Sequence, residues 1–128
     1  MEIAIQNTAV GMFVSTLMSS RTQAHIFHLQ TPSYSAHKAL NEYYDDIIDL
    51  IDGFVESYQG KYGIVKGYTN IDLQEYQSCE AIIMYFTALS VFINRARPQL
   101  PQDSYLQSQI DLIEELIFST IYKFKHLK

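Results

Sequence analysis

The chain has 128 residues, 48% apolar and 18% charged, with five glycines, three prolines and one cysteine. That much Ile, Leu, Phe and Tyr excludes a disordered polypeptide, and the length suits a single domain over 1–128 with a buried core. A formal charge of −5, from nine basic and fourteen acidic residues, opposes non-specific binding of nucleic-acid phosphates by the body of the domain.

No run approaches the roughly 18 uninterrupted apolar residues of a membrane span. The start, Met1-Glu2-Ile3-Ala4-Ile5-Gln6-Asn7, lacks the basic beginning and small-residue cleavage site of an export signal, so a cytoplasmic protein with no membrane segment is expected. Cys79 has no second cysteine for a disulfide or a thiolate zinc site and reads as a small core residue.

Chain breakers are few and grouped, and they leave four helix-sized blocks. The first, about 8–30, repeats Val10, Phe13, Leu17, Ala24 and Phe27 at helical spacing and ends at Thr31-Pro32-Ser33. The second, about 35–59, places Leu40, Tyr44, Ile47, Ile51, Phe54 and Tyr58 on one stripe before Gly60 and Gly63. The third, about 72–95, starts at Asp72, carries Leu73, Tyr76, Ile83, Phe86, Leu89 and Ile93, and stops before Pro98 and Pro101. The fourth, about 103–126, carries Leu106, Ile110, Ile113, Ile117, Ile121 and Phe124, with Lys123, Lys125, His126 and Lys128 complementing its negative dipole end. Strand signals are weak throughout, which predicts an all-α four-helix bundle.

The connections restrict the topology. Two short turns make hairpins of the first and last helix pairs. Between the second and third helices, about twelve residues over 60–71 span roughly 40 Å when extended at about 3.3 Å each. The second helix, at 1.5 Å per residue, is roughly 38 Å long. The linker therefore reaches the far end, which allows the one long crossover of ferritin-like bundles, although a simple up-down-up-down order also satisfies the length.

Metal chemistry is suggested by His25 and His28 on the first helix, His37 at the start of the second, and Asp52 and Glu56 one turn apart farther along it. His28 is assigned to a different face from His25. The first hairpin, centred near Thr31, is expected to set His25 beside His37. His37 and Asp52, however, are separated by roughly 22 Å of helix rise, so one chain cannot bring both to one ion.

Two copies can. When the second helix crosses its copy antiparallel about a two-fold axis, residues sharing a common midpoint face each other. The pairs His37 with Glu56 and Asn41 with Asp52 share one, between Asp46 and Ile47. These four positions border the apolar stripe without entering it, as an intersubunit site requires. No Gly-rich phosphate loop, Ser-His-Asp spacing or Cys-His nucleophile pair occurs.

The pattern Gln23-Ala24-His25, His37, Asp52 and Glu56 resembles the signature of the Dps family, the ferritin-like DNA-binding proteins of starved cells. The wording from Ala24 to Thr31 and at Tyr43-Tyr44-Asp45 also resembles small uncharacterised ferritin-like proteins of bacteriophages. This resemblance implies a ferritin-like four-helix bundle, a homo-oligomer that is at least a two-fold dimer through the second helix, and a dodecamer as the larger possibility. It also implies an intersubunit centre in which iron is bound and Fe(II) is oxidised with peroxide or oxygen. His25 and His37 would come from one subunit, and Asp52 and Glu56 from the other, with Asn41 at the position of an acid usual in the family.

Three further departures mark this chain. Ile26 replaces the usual Trp, the connection after the second helix is too short for the family's small extra helix, and no Lys-rich arm precedes the first helix. DNA as a partner is accordingly weakly supported. Two alternatives use the same residues: a ferritin-like interaction or structural module without turnover, and a dimer holding zinc or manganese without redox chemistry.

Overall fold

The computed structural model describes residues 3–128; Met1 and Glu2, which begin the stretch read for an export signal, lie outside it. Regular structure consists of α1 (Ile3–Gln30), α2 (Tyr34–Tyr62), α3 (Cys79–Ala96), a 3-10 turn (Arg97–Gln99) and α4 (Ser104–His126), with no strand among the described residues. The chain is thus all-α with four long helices.

Local chemistry sets the ends. Pro32 interrupts the α1 hydrogen-bond ladder, and Ser33 caps α2 by accepting the Ala36 N–H at 3.2 Å. Gly63, at φ +100°, takes the chain out of α2 while its N–H still donates to Gln59 O at 3.1 Å. Ser78 caps α3 by accepting the Ala81 N–H at 3.0 Å.

The third helix therefore begins after Ser78, not at Asp72. Residues 74–76 have spent their backbone groups on α1. The Gln23 amide donates to Gln74 O at 2.8 Å and accepts from Gln74 N–H at 2.7 Å, while Gln30 Oε1 accepts from Tyr76 N–H at 2.7 Å. These bonds compete with a helical ladder and hold the segment extended. Leu73, expected inward, is 49% exposed.

The connection, residues 63–78, lies along α1. Gly11 faces Lys66 and Gly67, Ser15 accepts from Thr69 N–H at 3.0 Å, and Gln23 and Gln30 hold Gln74 and Tyr76 in turn. Small and polar side chains on the outer side of α1 are consequently covered: Gly11, Ser15 and Gln23 are all buried. A helix covered on both sides has no single apolar stripe, which explains the irregular pattern of the first block.

Cross-helix contacts fix directions. Phe13 meets Phe54 at 5.2 Å and Tyr43 hydrogen-bonds Ser20 at 2.7 Å, so α1 and α2 are antiparallel. Ser57 meets Gln109 and Glu42 meets Lys123, so α2 and α4 are antiparallel as well. Phe86 meets Phe124 at 5.5 Å and Arg97, just past α3, meets Gln107, so α3 is antiparallel to α4 and therefore parallel to α2, with Phe86 also against Tyr43 at 4.9 Å. The core between them is Leu, Ile and Phe with buried Tyr43 and Tyr58.

Two polar ties close one end of the bundle, where α2 and α3 finish and α4 begins. Arg97 donates to Gln107 Oε1 and O, each at 3.0 Å, and pairs with Asp111 at 2.7 Å and Glu114 at 2.6 Å. Asp103 accepts from Lys61 and from Tyr62, joining the end of α2 to the start of α4. Against the expectation of no membrane segment, Cys79–Gln99, 21 residues, is by length and composition alone apolar enough to cross a membrane, one such segment among the described residues. In the bundle its Ile82, Phe86, Leu89 and Ile93 are buried while Met84 and Val91 are exposed.

Candidate metal site

The turn between α1 and α2 brings three histidines and a tyrosine together. His28 Nδ1–H donates to His37 O at 2.7 Å, and His37 Nδ1–H donates to His28 O at 2.8 Å. The two rings stack with centroids 3.6 Å apart and planes 18° from parallel. A carbonyl oxygen only accepts, so the proton of each neutral ring belongs on Nδ1 and each Nε2 keeps its lone pair. The same arrangement orients histidines in metal sites.

His37 is therefore partnered by His28, whereas the sequence reading paired it with His25. The cause is the turn. Because α1 continues to Gln30 and α2 starts at Tyr34, the hairpin centre falls at Pro32, later than the assumed Thr31. The placement of His28 on another face is also corrected. Positions three apart are only about 60° short of a full turn, which makes them neighbours. His25 indeed meets His28 edge to face at 5.9 Å and stacks on Tyr44 at 4.5 Å. Tyr44 meets His28 as well, at 5.3 Å.

On the α2 side, Asn41 donates to Asp45 at 2.8 Å. His37, Asn41 and Asp45 line a shallow depression of about 400 Å³ with Tyr34, Lys38 and Glu42. Asp52 and Glu56 are exposed farther along α2, in a single chain remote from His37 by the helix rise already described. Among the described residues no group of three or more His, Cys, Asp or Glu side chains converges on a point that could hold a metal ion.

The stack restricts what His28 and His37 can do. A ligating imidazole aims an in-plane lone pair at an ion about 2.0–2.1 Å away. Two nearly parallel rings 3.6 Å apart cannot both do so toward one ion. As stacked, they offer separate single donors. His28, set on another face from sequence, is the i+3 neighbour of His25, and Tyr44, read as a stripe residue of α2, packs on both rings.

Residues 28–124 match the profile of a family described as a family of unknown function, DUF5856. A 51-residue stretch is 37% identical to the "Uncharacterized 14.6 kDa protein in mobD-ri intergenic region" of Enterobacteria phage T4, and covers 40% of each chain, well under half of that relative's length. No solved structure matches the chain.

Proposed function

We propose, from the premise that the chain belongs to the DUF5856 family of unknown function, that it is a self-associating ferritin-like bundle taking Fe(II) as a substrate between two copies. The observation that carries the reading is the locked tautomer of His37, whose Nε2 is free to ligate on a ring that borders the depression with Asn41 and Asp45. The parallel run of α2 and α3, with the connection laid along α1, supports the ferritin-like assignment.

The α2 surface supports the dimer. Ile48 and Val55 are half-buried in the single chain and share the side of α2 that carries His37 and Asp52. Crossing two copies of α2 there covers these apolar groups. It also sets Asp52 and Glu56 of the second copy level with Asn41 and His37 of the first.

Carboxylate oxygen and imidazole nitrogen suit Fe(II), and the carboxylates hold the ferric product more firmly. Each of two Fe(II) ions gives one electron to one hydrogen peroxide, which takes up two protons and leaves as two waters. Within the chain, His28 keeps the His37 ring oriented, and His25, stacked on Tyr44, is the second imidazole at this end of α1. The setting consistent with the phage relative is the cytoplasm of an infected bacterium. Zinc or manganese would use the same donors without electron transfer.

A second reading, an interaction module without turnover, is favoured by one observation: position 41 holds a neutral amide whose N–H donates to Asp45, where a carboxylate would be the stronger ligand beside His37. The two separate on anaerobic addition of Fe(II) followed by peroxide. A ferric absorbance rise in the wild type, lost in His37→Ala and Asp52→Ala, supports iron oxidation. No rise in a chain that light scattering shows to be dimeric leaves the module. A monomer removes the site, and a mass of twelve chains extends the assembly to a cage.

A further inference from the structure

A second feature lies at the opposite end of α1, away from the histidines. Thr8, Ala9 and Met12 of α1 face Phe92, Arg95, Ala96 and Gln99 across a groove of about 540 Å³. It exists because Ala9 and Ala96 are too small to close the space between the helices at that level, and the connection that covers α1 elsewhere does not enter the lining. Its size is that of a small-molecule site.

The wall is apolar and adaptable: Met12 is a flexible gap filler, 41% exposed, and Phe92 is half-buried against the core. Among the described residues of the lining, Arg95 is the charged one. Its neighbour Arg97 is neutralised by Asp111 and Glu114, so no carboxylate in the lining competes for the Arg95 guanidinium. From Phe92 to Gln99 the groove follows about 10 Å of helix.

We propose that this groove binds a single-chain anionic amphiphile, a fatty carboxylate, with the alkyl chain along Met12, Phe92 and the two alanines and the carboxylate on Arg95. A flexible alkyl chain can lie along the open apolar groove. Guanidinium suits a carboxylate because its planar fork can donate to both oxygens.

The test titrates the full chain, labelled on its methionine methyls, with octanoate, decanoate and dodecanoate below their aggregation concentrations. Affinity is expected to rise about fourfold per added methylene, with the Met12 methyl signal shifting and that of Met84, on the outward side of α3, standing still. Arg95→Gln, an exposed substitution whose folding is checked by circular dichroism, is expected to weaken dodecanoate about tenfold and leave dodecanol unchanged. Equal binding of dodecanol and dodecanoate, Met84 shifting in step with Met12, or no binding overturns the proposal. So does a dimer that Phe92→Ser dissociates, because the groove would then be covered by a second copy.

Discussion

Replacing Gly11 with alanine tests the course of the connection. A Cβ at position 11 would lie 2.6 Å from Lys66 O and 2.7 Å from Gly67 O, closer than real Cβ atoms approach such oxygens. Both obstacles are backbone, so relief requires lifting the strand and straining the nearby Thr69–Ser15 hydrogen bond. Alanine improves helix propensity by about 1 kcal/mol, while overpacking of this kind costs about 1–3 kcal/mol. The net expectation is a loss of about 0–2 kcal/mol. Gly53→Ala is the control: nothing lies within 4 Å of its Cβ, so the same exchange in α2 should stabilise by about 0.5–1 kcal/mol. Urea titrations monitored by helical circular dichroism would measure both. In a thermal scan each kcal/mol corresponds to about 3–5 °C for a chain of this size. If Gly11→Ala stabilised as much as Gly53→Ala, the connection could not lie against α1 as described.

Gln23 is 1% exposed and makes two hydrogen bonds to Gln74, so Gln23→Ala should cost about 2 kcal/mol and speed hydrogen exchange at Gln74 and Tyr76; unchanged exchange would separate the two segments. Ser78→Ala removes the α3 cap and should cost about 1 kcal/mol, read as a lower urea midpoint with an unchanged slope. Hydrogen bonds from Lys61 and then Tyr62 hold the Asp103 carboxyl down at about 2, below its ordinary 3.8. A group lowered in the folded state adds stability above about pH 4, and that stability is lost as pH falls toward 2. Asp103→Asn should flatten this acid limb, and an identical limb in both proteins would refute the assignment.

The four-helix pattern was legible because α2, α3 and α4 each bury one stripe, and spacing reports a stripe directly. What spacing could not report was the connection. Asp72 and the apolar residues after it look like a helix start until Gln23 and Gln30, some fifty residues earlier in the chain, claim the backbone of Gln74 and Tyr76. Those two glutamines belong to α1, whose outer side reads as a surface only if nothing crosses it. Long-range side chain to backbone bonds leave no local periodicity, so no window along the sequence contains the signal.

The histidines show where the arithmetic of helices is reliable. Within α2 the helix is continuous from Tyr34 to Tyr62, so the rise that separates His37 from Asp52 is that of an unbroken helix. Across the turn the same arithmetic depends on how many residues Thr31, Pro32 and Ser33 contribute, and there it paired His37 with the wrong neighbour. The change bears on chemistry. His28, through its carbonyl, fixes the His37 proton, whereas His25 stacks on Tyr44 and is attached to His37 only through the His28 ring. His28→Ala keeps that carbonyl but removes the ring stacked on His37 and its bond to His37 O, and should therefore disturb any metal affinity that depends on His37 more than a substitution confined to the His25 ring. A metal titration ranking His25→Ala as the more damaging change would instead put His25 on the ion and leave His28 as a clamp for the turn.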